Sequence, residues 1–177
     1  MTGEKARPVA VVGGGAWGTA LANAAAAAGR PVTLWLRDAE TAAALEASRE
    51  NARYLPGVKL HPRIRATAEA GDLASADAVL MVTPAQTSRA VLAQLAPAFA
   101  PGAPVVLCSK GIERTTGAFM SAVAAEVLPA GAPVAVLSGP SFAVDVARNL
   151  PTAVTLAAAD AGLAASLARL LSGPALR

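Results

Sequence analysis

Three glycines near the N-terminus have the spacing that lets a protein backbone approach phosphate groups. Gly13, Gly15 and Gly18 form a G-x-G-x-x-G pattern between the apolar run Val9–Val12, which is typical of a buried parallel strand, and an alanine-rich predicted helix. Gly13 permits a tight turn, Gly15 leaves the backbone open to a diphosphate, and Gly18 lets the helix pack close to the sheet. A helix N-terminus also offers unpaired N–H groups and a partial positive charge. This strand–turn–helix unit therefore predicts dinucleotide binding.

Two charged residues at the end of the next predicted strand bear on which dinucleotide is bound. Asp38 lies 20 residues after Gly18, where an acidic side chain bonds a ribose 2′-hydroxyl and favours NAD. Arg37 can instead pair with a 2′-phosphate and stack on adenine, which favours NADP. Because successive side chains of a strand alternate, we expect one of them to face the ribose and the other to face away. The residues alone leave this choice open.

Predicted strands and helices alternate along the whole chain. The strands are expected at 9–12, 31–36, 64–67, 78–83, 104–109, 133–138 and 152–158, and the helices at 19–28, 39–49, 85–99, 117–128, 141–149 and 161–171. This alternation implies right-handed crossovers. It predicts an α/β fold with a Rossmann-type, doubly wound, mainly parallel sheet, in which residues 1–177 form one domain. Ligands of such sheets lie outside the carboxyl ends of the strands.

The composition agrees with this fold and excludes several functions. Hydrophobic residues make up 54% of the 177 residues and aromatic residues 3%, so the core must be built from Ala, Val and Leu. The 15 Lys and Arg residues are scattered without interleaved aromatics, which argues against nucleic-acid binding. The single cysteine, Cys108, excludes an internal disulfide and fits a reducing cytoplasm. Residues 1–5 lack a signal-peptide core, no apolar run reaches the ~20 residues of a membrane span, and no spacing suggests a metal.

Two polar residues at other predicted strand ends have alternative roles. Lys110 can hold a substrate phosphate or polarise a carbonyl, and it can equally be a solvated loop lysine. Ser141 follows Gly139 and Pro140, where its hydroxyl can cap the next helix. Considered alone, capping is the favoured interpretation of Ser141.

Five stretches identify a family. They are GGGAWGTAL at 13–21, NARYLPG at 51–57, VTPAQ at 82–86, SKGIE at 109–113 and LSGPSFA at 137–143, with LPTA at 150–153 close behind. In this order they resemble the bacterial NAD(P)-dependent glycerol-3-phosphate dehydrogenases over essentially the whole chain. The glycine pattern is common to many enzymes, whereas the pair SKGIE and LSGPSFA is specific. That pair argues against the alternative of a ketopantoate or 6-phosphogluconate type reductase.

The resemblance implies roles for individual residues. Cofactor contacts are implied at Gly13, Gly15, Ala16, Trp17, Gly18, Arg37, Tyr54, Lys110 and Ala143. Substrate contacts are implied at Lys110, Gly139 and Ser141, which makes binding rather than capping the implied role of that serine. The cofactor implied is NADP or NAD, with NADPH favoured because Arg37 matches the position that faces the ribose.

The resemblance also implies an activity. Family members reversibly reduce dihydroxyacetone phosphate to sn-glycerol 3-phosphate, which feeds glycerophospholipid synthesis in the cytoplasm. Their helical C-terminal domain supplies the lysine that transfers the proton, so no catalytic residue is expected within 1–177. We therefore expect this chain alone to be inactive, and to be sticky or dimeric through an exposed apolar face. A non-catalytic NAD(P)-binding module is the remaining alternative.

Overall fold

One sheet organises the molecule, in a computed structural model that describes residues 7–174 and 176–177. Residues 1–5, for which no signal peptide is expected, lie outside the described residues. Seven strands of the described part form the sheet in the order β3-β2-β1-β4-β5-β6-β7. They are β1 (Val9–Val12), β2 (Val32–Trp35), β3 (Ile64–Thr67), β4 (Ala78–Met81), β5 (Val105–Leu107), β6 (Val134–Ser138) and β7 (Thr155–Ala158). The order reverses between β1 and β4, and a Rossmann-type sheet opens its ligand crevice at such a point.

The described residues form six α-helices, of which five lie between strands and the sixth follows β7. They are α1 (Ala16–Ala27), α2 (Ala39–Ser48), α3 (Ala85–Leu95), α4 (Met120–Val127), α5 (Ala143–Ala147) and α6 (Ala161–Leu171). Strands β1 to β6 are parallel, and β7 pairs antiparallel with β6. In the antiparallel pair Thr155, the first residue of β7, lies opposite Ser138, the last residue of β6. The chain thus re-enters the sheet at the edge it has just left, with only the short α5 between. The predicted mainly parallel Rossmann-type fold is confirmed.

The core has two halves, one on each face of the sheet. Val9 and Val11 point toward α1, α5 and α6, whereas Ala10 and Val12 point toward α3 and α4. All four side chains are at most 1% exposed, because helices cover both faces of this part of the sheet. The core is built chiefly from Ala, Val and Leu, as the composition predicts.

Several predicted helix boundaries are wrong, for local reasons. The predicted helix at 85–99 stops at Leu95 and tightens into a 3-10 turn, since Pro97 has no N–H to continue the ladder. The predicted helix at 117–128 begins only at Met120, because Gly117 has a φ of 72°. The predicted helix at 141–149 is reduced to the five residues of α5. None of the described helices combines the length and apolar character needed to cross a membrane.

Candidate functional site

The carboxyl ends of the central strands border a cleft of about 720 Å3. Ten of the eleven site residues expected from the sequence line it, namely Gly13, Gly15, Ala16, Trp17, Gly18, Arg37, Tyr54, Lys110, Ser141 and Ala143. The eleventh, Gly139, is not among the lining residues. A Cβ on Gly139 would lie 3.1 Å from Val154 Cα, so this glycine packs against the chain leading into β7. Its carbonyl oxygen accepts a hydrogen bond from Lys110 Nζ at 3.3 Å.

The three glycines of the turn are needed for different reasons. Gly13 has a φ of 120°, and a Cβ there would lie 2.8 Å from Val82 O. A Cβ on Gly18 would lie 1.8 Å from Gly13 O, so this position is closed to every other residue by the turn itself. Gly15 has an ordinary φ of −74°, and no described atom lies within 4 Å of the Cβ position. No contact within the described protein requires a glycine at position 15. A ligand that crosses the turn would require one, because a side chain would occupy the space of that ligand.

Two unsatisfied groups beside this turn fit an anionic, hydrogen-bonding ligand. Helix α1 begins at Ala16, and no described side chain caps its N-terminus. The positive end of its dipole therefore opens into the cleft. The buried Trp17 Nε1 has no hydrogen-bond partner among the described residues, although the Trp17 side chain lines the cleft. An orphaned buried donor costs about 1–3 kcal/mol unless an acceptor is supplied. The turn thus fits the diphosphate of a dinucleotide.

Arg37 and Asp38 are both among the residues that line the cleft, so the lining does not decide which of them faces the ribose. The strand β2 ends at Trp35, and the alternation of side chains does not extend into the loop that follows. Asp38 is the N-cap of α2, and its Oδ1 accepts hydrogen bonds from the Thr41 backbone N at 2.8 Å and from the Thr41 hydroxyl. These bonds lower the pKa of Asp38. Arg37 is exposed and forms no salt bridge with any described residue.

A buried asparagine joins Tyr54 to the glycine turn. Asn51 Nδ2 donates to Gly14 O and to Thr19 Oγ1, both at 2.8 Å. Asn51 is 7% exposed, whereas Tyr54 is 46% exposed and lines the cleft with the Arg53 guanidinium 5.2 Å from its ring centroid. Asn51 was not among the predicted site residues, although it is the first residue of the 51–57 motif. Its role depends on a contact between segments more than 30 residues apart, which spacing does not show.

The hydroxyl of Ser141 does not cap a helix, so the capping interpretation is wrong. Helix α5 begins at Ala143 with Phe142 as its N-cap residue, and no described side chain bonds to that end. Ser141 Oγ instead lies 3.5 Å from Gly139 O and lines the cleft beside Lys110. The neighbouring Cys108 is buried, and burial raises the pKa of its thiol, so it stays protonated.

The loop that carries Lys110 is anchored by a partly buried ion pair. Arg89 Nε and Nη2 donate to the two carboxylate oxygens of Glu113 at 2.8 and 2.9 Å, and the Thr116 hydroxyl donates to the same group at 2.6 Å. The Arg89 hydrogen bonds, followed by the Thr116 bond, lower the pKa of Glu113 to about 2. This role of Glu113 could not be predicted from residue spacing, because Arg89 is 24 residues away in the chain.

The ion pair predicts a pH dependence of stability. The pKa of Glu113 lies below the value of about 4.3 expected in the unfolded chain, so its contribution is complete above that pH and is lost as the pH falls toward 2. We expect the Tm of the parent to fall more steeply between pH 5 and pH 2.5 than that of Glu113→Gln. Glu126→Gln is the control, because Glu126 is an exposed partner of the same guanidinium and should keep the parental slope. Equal slopes for the parent and Glu113→Gln would contradict the assignment.

The fold and the cleft define a Rossmann-type α/β domain with an open cleft at the switch point of the sheet. Residues 8–164 match the family model described as the NAD-dependent glycerol-3-phosphate dehydrogenase N-terminus. The chain belongs to this family, as its five motifs predict. The match also disfavours the ketopantoate and 6-phosphogluconate type reductases.

Individual relatives agree with the family model. The chain is 72% identical over 170 residues to glycerol-3-phosphate dehydrogenase [NAD(P)+] of Methylobacterium radiotolerans, which covers 96% of this chain and 51% of the relative. The chain is 55% identical to the protein of the same name from Caulobacter vibrioides, in an alignment of 177 residues that covers 100% of this chain and 52% of the relative. A crystal structure of glycerol-3-phosphate dehydrogenase from Coxiella burnetii superimposes with a TM-score of 0.90 at 32% identity, which covers 97% of this chain and 53% of that chain. The chain spans about half the length of the relatives it matches.

Proposed function

We propose that this chain is the cofactor half of an oxidoreductase that reversibly reduces dihydroxyacetone phosphate to sn-glycerol 3-phosphate with NADPH or NADH. The observation that carries the proposal is the cleft at the switch point, where Gly15 opens the backbone and α1 presents an uncapped N-terminus. Family membership and the names of the relatives supply the reaction class. The product feeds glycerophospholipid synthesis, and the lone buried Cys108 fits a reducing cytoplasm.

The lining residues divide into those suited to each part of a dinucleotide. The backbone of Gly13, Gly15 and Gly18 and the first turn of α1 would hold the diphosphate. Arg37 and Tyr54 would hold the adenosine side. Ala16, Trp17, Lys110 and Ala143 would complete the cofactor site. The reduced nicotinamide supplies the hydride for the reaction.

Lys110 is the residue of this chain suited to the substrate. The titratable side chains on the described lining are Arg37, Asp38, Arg53, Tyr54, Cys108 and Lys110. Of these, the Lys110 ammonium lies beside the Ser141 hydroxyl and is held by Gly139 O. An ammonium at this place would bind the substrate phosphate and stabilise the negative charge that develops on the carbonyl oxygen during reduction. Gly139 would act through its carbonyl, by orienting Lys110, rather than by lining the site.

Two tryptophans on the cleft lining provide the test of the proposal. Trp17 and Trp35 both line the cleft, so a nicotinamide bound there should accept energy from their fluorescence. Titration with NADPH is expected to quench the tryptophan emission in a saturable way, with sensitised emission from the nicotinamide. Addition of glycerol 3-phosphate to the complex with NADP+ should then give a second saturable change that Lys110→Ala removes. Absence of a saturable response to NADPH would overturn the proposal.

Arg37→Ala is expected to weaken the binding of NADPH more than that of NADH. An arginine that pairs with the 2′-phosphate loses charge-assisted hydrogen bonds worth about 1.5 kcal/mol or more, which is on the order of tenfold in affinity. NADH has no 2′-phosphate and should lose about threefold or less. Competition titrations of the two cofactors measure the difference. Equal losses would show that Arg37 does not contact the 2′-phosphate.

The proposed partners are small molecules and a second copy of the chain, not nucleic acid. Phe142, Val144 and Leu150, on and around α5, expose large apolar side chains at 75%, 41% and 48%. Apolar surface of this kind promotes association. Light scattering of the 177-residue protein is expected to give the mass of a dimer, and Phe142→Ser is expected to shift it toward the monomer. If both the parent and Phe142→Ser have the mass of a monomer, the proposed homodimer is wrong.

A further inference from the structure

The loop that carries Lys110 has little structure of its own. It runs from the end of β5 to the start of α4, and Gly111 and Gly117 take φ values of 119° and 72° within it. One isolated bridge, between Ile112 and Phe119, closes the loop on itself but does not tie it to the cleft. Its position relative to the cleft must therefore come from other parts of the molecule.

The first contact from outside the loop is the side-chain amide of Gln86, which bonds to a backbone carbonyl and to a backbone N–H of the loop. Gln86, in the first turn of α3, donates from Nε2 to Ile112 O at 2.8 Å and accepts at Oε1 from the Arg114 backbone N at 2.9 Å. A side-chain amide has both a donor and an acceptor, so it can bond to a carbonyl and an N–H at the same time. A carboxylate or an aliphatic side chain at position 86 could not form this pair of bonds.

The second contact is the Arg89–Glu113 pair, one turn further along α3. The guanidinium bonds to both carboxylate oxygens of Glu113, and its Nη1 bonds to Glu126 Oε2 on α4 at 2.7 Å. A bidentate pair of this kind fixes orientation as well as distance. We call Gln86, Arg89, Ile112, Glu113 and Arg114 the α3 clamp.

The α3 clamp holds the chain after Lys110, and the hydroxyl of Ser109 holds the chain before it. Ser109 Oγ donates to Thr83 O at 2.6 Å, so the residue before Lys110 is tied to the end of β4. Ile112 is tied to Gln86 two residues after it. Between these two points the Lys110 side chain reaches across to Gly139 O. The backbone on either side of the ammonium is thus set before any ligand arrives, which reduces the ordering cost of binding.

We infer that Gln86 and Arg89 are positioning residues, which hold Lys110 in the place where it meets the phosphate-bearing substrate. The inference rests on the proposed function, because it assigns Lys110 to the substrate. It adds two residues of α3 that do not line the cleft and that act through the loop.

Gln86→Ala is the main test, with Gln94→Ala as the matched control, since Gln94 is an exposed glutamine on the same helix. The chain has three lysines, so reductive methylation with 13C-formaldehyde should give resolvable signals for Lys5, Lys59 and Lys110. We expect Gln86→Ala to increase amide exchange across 110–114 and to increase the mobility of the Lys110 signal. The affinity for glycerol 3-phosphate should fall about tenfold, while the affinity for NADPH and the Tm should stay near parental values. Arg89→Lys, which keeps the charge but loses the bidentate geometry, should show the same changes in exchange, Lys110 mobility and glycerol 3-phosphate affinity, together with a lower Tm because the Arg89–Glu113 pair also stabilises the fold.

The outcomes separate the clamp from the proposed function. Unchanged exchange and an unchanged Lys110 signal in Gln86→Ala would overturn the clamp, whatever the ligands do. A loosened Lys110 with parental affinity for glycerol 3-phosphate would overturn its positioning role. Parental binding of glycerol 3-phosphate by Lys110→Ala, or no binding by the parent, would overturn the role of Lys110 itself. Failure of the parent to bind NADPH would reject the proposed function, and the exchange data would still decide the clamp.

Discussion

Gly15→Val is expected to reduce the binding of NADPH and NADH to the calorimetric background. The backbone at Gly15 has a φ of −74°, and its Cβ position has no described neighbour within 4 Å, so valine should not strain the fold. The isopropyl group would instead occupy the part of the cleft that the diphosphate must cross. The Tm of the variant should therefore remain close to that of the parent while binding is lost.

Gly71→Val is the matched control for this prediction. Gly71 also has open space at its Cβ position among the described atoms and no left-handed φ, but it lies away from the cleft. This variant should bind NADPH with the parental affinity. Gly18→Ala is unsuitable, because its Cβ would overlap Gly13 O and the loss of binding would follow from damage to the turn. If Gly15→Val binds as tightly as the parent, the glycine turn is not the diphosphate site.

A protein made of these 177 residues alone is expected to show no measurable reduction of dihydroxyacetone phosphate. The resemblance implies that the proton-transfer lysine lies in the half of the relatives that this chain does not span. Removal of a general acid typically costs roughly 10²–10⁴-fold. Lys110 is also exposed to solvent in the described structure, so neither water exclusion nor closure around the substrate assists the reaction.

A spectrophotometric assay at 340 nm with NADPH and dihydroxyacetone phosphate tests this expectation. The protein should bind NADPH in the same buffer, so that a lack of turnover reflects the chemistry rather than an unfolded sample. Lys110→Ala is the control for any residual rate. Turnover by the parent that disappears in Lys110→Ala would show that these residues contain a complete catalytic set, contrary to the prediction.

Much of the site was predictable, because the requirements of a dinucleotide turn are local. The three glycines, the apolar strand before them and the helix after them lie within 20 consecutive residues, and the structure places them as one unit. Lys110 was singled out because it follows a strand, and parallel strands bring their carboxyl ends to one edge, whereas the binding roles of Ser141 and Ala143 were implied by the family resemblance. The ends of α3, α4 and α5 were not predicted correctly, because a single proline or a residue with a left-handed φ outweighs helix propensity there.

The fold class, the family and the segments that meet at the cleft could be predicted from the residues, because each depends on periodicity or on residue types at short spacing. The tertiary structure alone decided which side chains position the others. Asn51 bonds to the glycine turn, Gln86 bonds to the Lys110 loop, and Asp38 is engaged by Thr41 while Arg37 remains available. The first two are hydrogen bonds between segments far apart in the chain, and the third depends on where β2 ends. Such contacts form only when the packed sheet and helices bring a donor within about 3 Å of its acceptor.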